Sequence, residues 1–418
     1  MSKVSEVRDK LYRYVAPNYA PLPFVPRVAK GEWIYGLAEG NDGSDGWRAV
    51  LDLHSNYSAT GLGHNPPELV DLKIKRLKEN RIVFISRGAG MIEELAVLGE
   101  RISHLSGMDM ILPKNAGTEG FDLALKAARL WGYKVKGIKE NRAEVIVCNE
   151  NFHGRSLAAT IASSDPRVKE RFGPFGAERA FRKILFGDLK AFEKAINKNT
   201  AAFIVEPIQA EAGVIIPPEE YIRKVRKICR ESNVLFILDE VQTGLGRTGQ
   251  LFCWQHGGPE AMPDGMMLGK ELGGGMNKES VFVASRQVLE LLTEGTEGST
   301  FGGDPEGCAI ALKALDIVSE PSFLNRVEAL GEEFIQKLRT IESPIIKEVR
   351  GKGLLIAIEL VPEVNVRRVW EELFRDGVLT IKRHNAIGFS PPLNINEHNL
   401  LVYGFNKIKK VFENFSPA

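Results

Sequence analysis

Four cysteines in 418 residues, at positions 148, 229, 253 and 308, are too few and too scattered for a disulfide framework. No Cys-x-x-Cys pair occurs among them, so a structural zinc site has no spacing to rest on, and they read as reduced thiols in a reducing, cytoplasmic compartment. Charge of one sign is equally lacking. Lys+Arg 55 against Asp+Glu 54 leaves a net charge of +1, which gives no global field toward nucleic acid or an anionic membrane. No apolar run approaches membrane-spanning length, and the first ten residues carry charges where a secretory signal needs an apolar stretch. Asn56-Tyr57-Ser58 fits a glycosylation pattern, but without a signal the match reads as chance. HExxH, GxSxG and P-loop motifs are absent, which removes metalloprotease, serine hydrolase and NTPase classes. Gly244-Leu245-Gly246-Arg247-Thr248-Gly249 does match GxGxxG. Four residues separate it from the preceding strand and no helical pattern opens after it, so the dinucleotide fingerprint fails.

The length calls for more than one core. Residues 1–60 are expected to form an N-terminal arm packing with a small domain, residues 61–310 a large cofactor-binding domain, and residues 311–418 a C-terminal small α+β domain. From about residue 92, helical and strand patterns alternate. Helices are expected near Met91–Leu105, Glu119–Gly132 and Pro218–Ser232, and strands at Ala143–Cys148, Ala201–Val205, Val234–Leu238, Gly265–Leu268 and Val281–Ala284. That alternation predicts an α/β fold with a mostly parallel sheet between helices. In such sheets ligands bind beyond the carboxyl ends of strands. Glu206, Asp239 and Lys270 each lie just past a predicted strand.

Lys270 follows Gly265-Met266-Met267-Leu268-Gly269, and Asp239 ends Val234-Leu235-Phe236-Ile237-Leu238. A lysine among small and apolar residues is a candidate imine former, because desolvation frees its nucleophilic amine. A strand-end aspartate can hold a proton on a heterocyclic nitrogen. Pyridoxal phosphate requires both groups. A solvated lysine and an ordinary strand-end acid are the bland alternative. Asn115-Ala116-Gly117-Thr118-Glu119 opens a helix, where free N–H groups and the Thr118 hydroxyl could hold a phosphate; a simple N-cap is the competing reading. Asn151-Phe152-His153-Gly154-Arg155 offers a ring to stack and a guanidinium to clamp a carboxylate, against the usual fates of core aromatic and surface ion pair.

Together these stretches resemble the class III aminotransferases of the fold-type I pyridoxal phosphate group, and ornithine aminotransferases most closely. The resemblance runs from about residue 20 to residue 410. It also includes Ser55-Asn56-Tyr57-Ser58-Ala59, Val205-Glu206-Pro207 through Gly213, and Gly298-Ser299-Thr300-Phe301-Gly302-Gly303. It implies Lys270 as the lysine bonding the cofactor's aldehyde and Asp239 as partner of its ring nitrogen. Gln242 would touch the ring hydroxyl and Phe152 would stack on the ring. Gly117 and Thr118 would hold the phosphate, Ser299 would also bind the cofactor, and Thr300 would reach the phosphate from a second subunit, so that a homodimer with composite sites is implied. Glu206 would stand beside the cofactor. Tyr57, Arg155 and Glu211 would face the small-molecule amino substrate.

Two departures bear on substrate. Gly388 stands where the family usually carries a carboxylate-binding arginine, which leaves Glu211 without its customary partner. Gly90 stands where the ornithine enzyme has a pocket tyrosine. The expectation is a wider pocket less suited to glutamate, with Lys382, Arg383 or His384 as possible substitutes for the lost cation. The leading reading is amino transfer from an ornithine-like diamino acid or related amine to a keto acid. The alternative is a non-transaminating reaction on the same scaffold: racemisation, elimination, γ-replacement or carbon–carbon bond formation on a bulky amino acid.

Overall fold

The computed structural model describes residues 2–40, 43–176 and 178–416. An amphipathic helix at Lys3–Tyr14 comes first, capped by the Ser2 side chain accepting from Ser5 N. The strands in chain order are β1 Phe24–Lys30, β2 Trp33–Glu39, β3 Asp45–Asp52, β4 Met110–Lys114, β5 Glu144–Cys148, β6 Phe181–Ile184, β7 Thr200–Val205, β8 Leu235–Asp239, β9 Gly265–Leu268, β10 Ser280–Ala284, β11 Ile346–Lys352, β12 Leu355–Leu360, β13 Val378–Leu379, β14 Ile381–Arg383 and β15 Ala386–Phe389.

Seven of them form the central sheet, in the order β4-β10-β9-β8-β7-β5-β6. The run β9-β8-β7-β5-β6 is parallel, while β10 is antiparallel to both neighbours. The interior strands β7, β8, β9 and β10 are buried at every position, the continuous apolar signature of a sheet covered on both faces. The helix Gly117–Lys134 packs one face through Phe121, Ala124, Ala128 and Trp131. On the other face lie Tyr221, Val225 and Cys229 of the helix Tyr221–Glu231.

β1, β2 and β3 make an antiparallel sheet that β13 extends in parallel, so the two ends of the chain share one sheet. β11, β12, β15 and β14 form a third, antiparallel sheet. Long helices at Pro305–Val318 and Pro321–Arg339 run between the central sheet and this region. Close backbone approach fixes one junction. A Cβ at Gly331 would fall 2.2 Å from the Gly353 carbonyl oxygen, so only glycine fits there. Among the described residues no helix is long and apolar enough to cross a membrane.

Most boundaries expected from sequence fall within two or three residues of the observed ones. The N-terminal helix, β4 and β6 were not anticipated. β4 carries a proline and β6 places two adjacent charges, Arg182 and Lys183, between its apolar ends, so neither shows the plain apolar run of its neighbours.

Candidate active site

The carboxyl ends of the parallel strands open onto a cavity of about 680 Å³. Its wall includes Gly117, Thr118, Phe152, Glu206, Asp239, Gln242 and Lys270. Seven of the residues singled out from the sequence therefore meet in one place. Ile208, Val241 and His153 also face it and were assigned no role from sequence. Val241 sits two residues past Asp239, where the turn after a strand must look into the same space.

Lys270 follows β9 at φ 47°, a left-handed conformation that costs a non-glycine residue roughly 1–2 kcal/mol. Burial lowers its amine from the usual lysine range to about 8, with Glu211 opposing the shift and Arg383 reinforcing it. Strain and desolvation are both spent on aiming one amine into the cavity. Asp239 is held from two sides: Val241 N donates to Oδ1 at 3.1 Å, and His153 Nδ1 lies 2.7 Å from Oδ2. The His153 ring stacks nearly parallel on Phe121, 4.6 Å between centroids. Glu206, fully buried, accepts from Phe152 N at 3.0 Å. Burial, then the neighbouring Asp239, pushes its carboxyl well above the usual range.

The helix Gly117–Lys134 begins with no side-chain cap. Its first N–H groups point at the cavity with the positive end of the helix dipole behind them. Asn115 instead ties its own N–H and amide to Glu119 at 2.9 and 3.1 Å. Gly154, at φ 110°, lets the chain pass against this turn, since a Cβ there would lie 2.3 Å from Thr118. Thr118 Oγ1 accepts from Ser156 N at 3.2 Å, and Gln242 Nε2 reaches Ser58 Oγ at 3.5 Å. An uncapped helix start, a desolvated amine, a strand-end carboxylate and the half-exposed ring of Phe152 fit a phosphorylated pyridine aldehyde.

A second cavity of about 370 Å³ shares Phe152, His153 and Gly154 with the first and adds Arg155, Glu211 and Arg383. The Arg155 guanidinium lies 5.2 Å from the Phe152 ring centre. Tyr57 lines neither cavity. It belongs to a left-handed turn, Ser55 to Ser58 at φ 45°, 47°, 57° and 70°, whose Asn56 reaches the first wall. Asp52 Oδ1 pins this turn by accepting from His54 N and Ser55 N at 2.9 and 2.8 Å. Burial raises the Tyr57 hydroxyl, and Glu211 adds to the shift. Ser299 Oγ accepts from Asn115 Nδ2 and Gly302 N at 3.0 Å each. Neither Ser299 nor Thr300 is on the wall of its own chain's cavity.

Arg383, one of the three cations named as substitutes, takes the place of Glu211's customary partner: its Nη1 donates to Glu211 Oε1 at 2.8 Å. One expectation requires correction: the space over Gly388 is filled by the same arginine, so this glycine does not widen the pocket. Gly90 lies outside both walls in the single chain, its nearest neighbour being Ile85.

These features define a fold-type I pyridoxal phosphate enzyme. The model of the aminotransferase class-III family matches residues 14–412. The chain is 43% identical over 417 residues to the ornithine aminotransferase of Geobacillus sp. (strain WCH70), covering 99% of each. It is 42% identical over 417 residues to that of Bacillus subtilis (strain 168), again over 99% of each. The crystal structure of the Toxoplasma gondii ornithine aminotransferase superposes with a TM-score of 0.91 at 33% identity, over 99% of this chain and 95% of that one. An acetylornithine aminotransferase from Elizabethkingia anophelis gives 0.84 at 33% identity, over 99% of both. The chain belongs to the class-III aminotransferases, and its cofactor is pyridoxal 5′-phosphate.

Proposed function

We propose that this chain moves an amino group from an ornithine-like diamino acid to a keto acid, working as a homodimer with shared sites in a reducing cytoplasm. The observation that carries the reading is the shielded Lys270 amine, lowered to about 8, on the same cavity as a braced Asp239. The names of the bacterial relatives support the substrate class. The three segments 1–60, 61–310 and 311–418 are taken as arm, cofactor domain and small domain.

When bound, the cofactor supplies a protonated pyridine ring that accepts the electron pair left when a substrate proton departs. Lys270 receives and returns that proton, which an amine near neutrality does in both directions. Asp239 would hold the proton on the ring nitrogen. The Gly117–Thr118 turn would hold the phosphate and Phe152 would stack on the ring, while Val241 lines the cavity with apolar surface. Arg155 and Tyr57 orient the substrate's carboxylate and amino ends.

The test is direct. Purified holoprotein incubated with ornithine and 2-oxoglutarate should yield glutamate, and ornithine alone should convert the bound cofactor to its amine form. Consumption of ornithine with no amino group reaching any keto acid would reject amino transfer.

A further inference from the structure

Lys270 keeps a left-handed backbone although it is not glycine, and such a conformation persists only where its surroundings fix it from several sides. The neighbouring residue shows how. Glu271 lies in the short turn Lys270–Gly273 with its side chain 2% exposed, against an Arg247 side chain that is fully covered. Arg247 Nε and Nη2 both donate to Glu271 Oε1, at 2.9 and 2.7 Å. Its Nη1 donates to the carbonyls of Leu354 and Pro391 at 3.1 and 2.6 Å, one in the turn between β11 and β12 and the other just past β15. One guanidinium thereby ties the residue after Lys270 to the antiparallel sheet of the C-terminal region.

The pair is a poor source of stability. Glu271 Oε2 is buried with no partner among the described residues. Burial is the larger influence on both groups, lowering Arg247 and pushing Glu271 up to about 7 against their mutual attraction. Apolar residues of similar size often serve a core as well as a buried ion pair does. The chain nonetheless leaves room for it: a Cβ on Gly61 would fall 2.3 Å from Glu271 Cγ. What the pair supplies is direction. A covered, doubly held contact fixes the Glu271 side chain, and with it the peptide unit shared with Lys270.

We infer that Glu271 is a positioning residue for Lys270: clamped by Arg247 and admitted by Gly61, it holds the lysine backbone left-handed and so aims the amine at the carbon it bonds. The inference rests on Lys270 as the lysine that bonds the cofactor, and on no particular substrate. Bonding joins Nζ to the aldehyde carbon and releases water. Pyridoxamine phosphate carries an amine in place of the aldehyde and cannot bond, so it occupies the same cavity without using the aim of Lys270.

The test compares the two cofactor forms by absorbance and fluorescence titration of apoprotein. Glu271→Ala should weaken pyridoxal phosphate roughly fivefold to thirtyfold, the factor equivalent to left-handed strain at one residue, and leave pyridoxamine phosphate nearly unchanged. Glu271→Gln, which keeps an oxygen for the guanidinium without its charge, should lie between the two. Equal weakening of both forms in Glu271→Ala would make the pair merely structural, and no change in either would make it idle; each result overturns the inference. Should Glu271→Ala not fold, Gly61→Ala is a second route, since it keeps both charges and displaces Glu271 by crowding; the same selective loss is expected, and its absence counts against the clamp. Added to a folded Glu271→Ala, which vacates that space, Gly61→Ala should bring no further loss; an additive loss would overturn the part given to Gly61. Borohydride labelling separates this inference from the reading beneath it. A label on another lysine rejects the role of Lys270, whereas a label on Lys270 with both cofactor forms weakened alike rejects the clamp alone.

Discussion

His153 Nδ1 and Asp239 Oδ2 stand 2.7 Å apart, with the imidazole stacked on Phe121 behind them. The aspartate therefore meets the cavity already oriented, one oxygen on an imidazole and the other on the Val241 N–H. Asp239→Asn keeps this shape and removes the charge. If the amide oxygen stays on the imidazole, the amide NH2 faces the cavity as a donor, the wrong partner for a protonated ring nitrogen. Turnover should drop by about a hundredfold or more, the scale of deleting a preorganised electrostatic contact, while cofactor affinity changes far less. Pre-steady-state measurement of substrate α-proton loss checks this; near-normal rates would remove Asp239 from the chemistry.

Lys270 offers a pH test with a definite sign. Burial lowers its amine to about 8, so the nucleophilic form grows as pH rises through that value. The rate at which apoprotein bonds added pyridoxal phosphate should climb with pH and level off above a midpoint near 8, not near the 10.5 of an ordinary lysine. Borohydride should then fix the cofactor on Lys270 in peptide maps. Lys270→Ala should retain some cofactor through the phosphate turn and Phe152, yet lose roughly 10²–10⁴-fold in rate from the missing acid–base group alone. A label found on another lysine would refute the assignment.

The cofactor cavity was legible in the sequence because its parts sit at strand ends, where a terminated apolar run announces both the strand and the side chain that follows it. Asp239, Glu206 and Lys270 were found this way. On the substrate side Arg155, Glu211 and Arg383 were named from the sequence and share one cavity, but how they are arranged was not legible. Arg383 lies in a three-residue strand joined to its neighbour through His384 and Asn385, too short for a periodic signal. Its relation to Gly388 depends on a cross-strand diagonal, which no linear spacing reveals. His153 was visible as a residue next to Phe152, but its hold on Asp239 joins positions 86 apart in the chain. The left-handed turn around Tyr57 is equally silent, since none of its four residues is glycine.

Glu279 makes a stability prediction. Burial first, then the like charge of Asp304, pushes its carboxyl up to about 9, from a usual value of 4.5. The folded chain then holds a proton here that the unfolded chain releases between those values, so this group's contribution to stability falls as pH rises across the window. Glu279→Gln is isosteric with the protonated form and has no proton to lose. The variant should match wild type near the acid end and exceed it in melting temperature by a few degrees around pH 8. Thermal unfolding at the two pH values decides it; a variant less stable at pH 8 would show that Glu279 is ionised in the fold.

Thr300 is exposed and off the wall of its own chain's cavity, although the segment leading to it is anchored there: Lys114 Nζ donates to Gly298 O at 2.8 Å and Asn115 Nδ2 to Ser299 Oγ at 3.0 Å. If the sites are shared between two copies, as proposed, Thr300 would complete the phosphate site of the neighbouring one. Thr300→Ala should lower cofactor affinity, and Lys270→Ala should abolish turnover, each through a different half of a shared site. In a mixture of the two variants, subunit exchange would form heterodimers in which one site carries both defects and the other carries neither. Activity should therefore rise on mixing, toward about a quarter of the wild-type value if subunits redistribute at random, since half the dimers would each hold one intact site. Exchange can be followed independently by native mass spectrometry of tagged chains. Proven exchange with no gain in activity would mean that each subunit completes its own phosphate site.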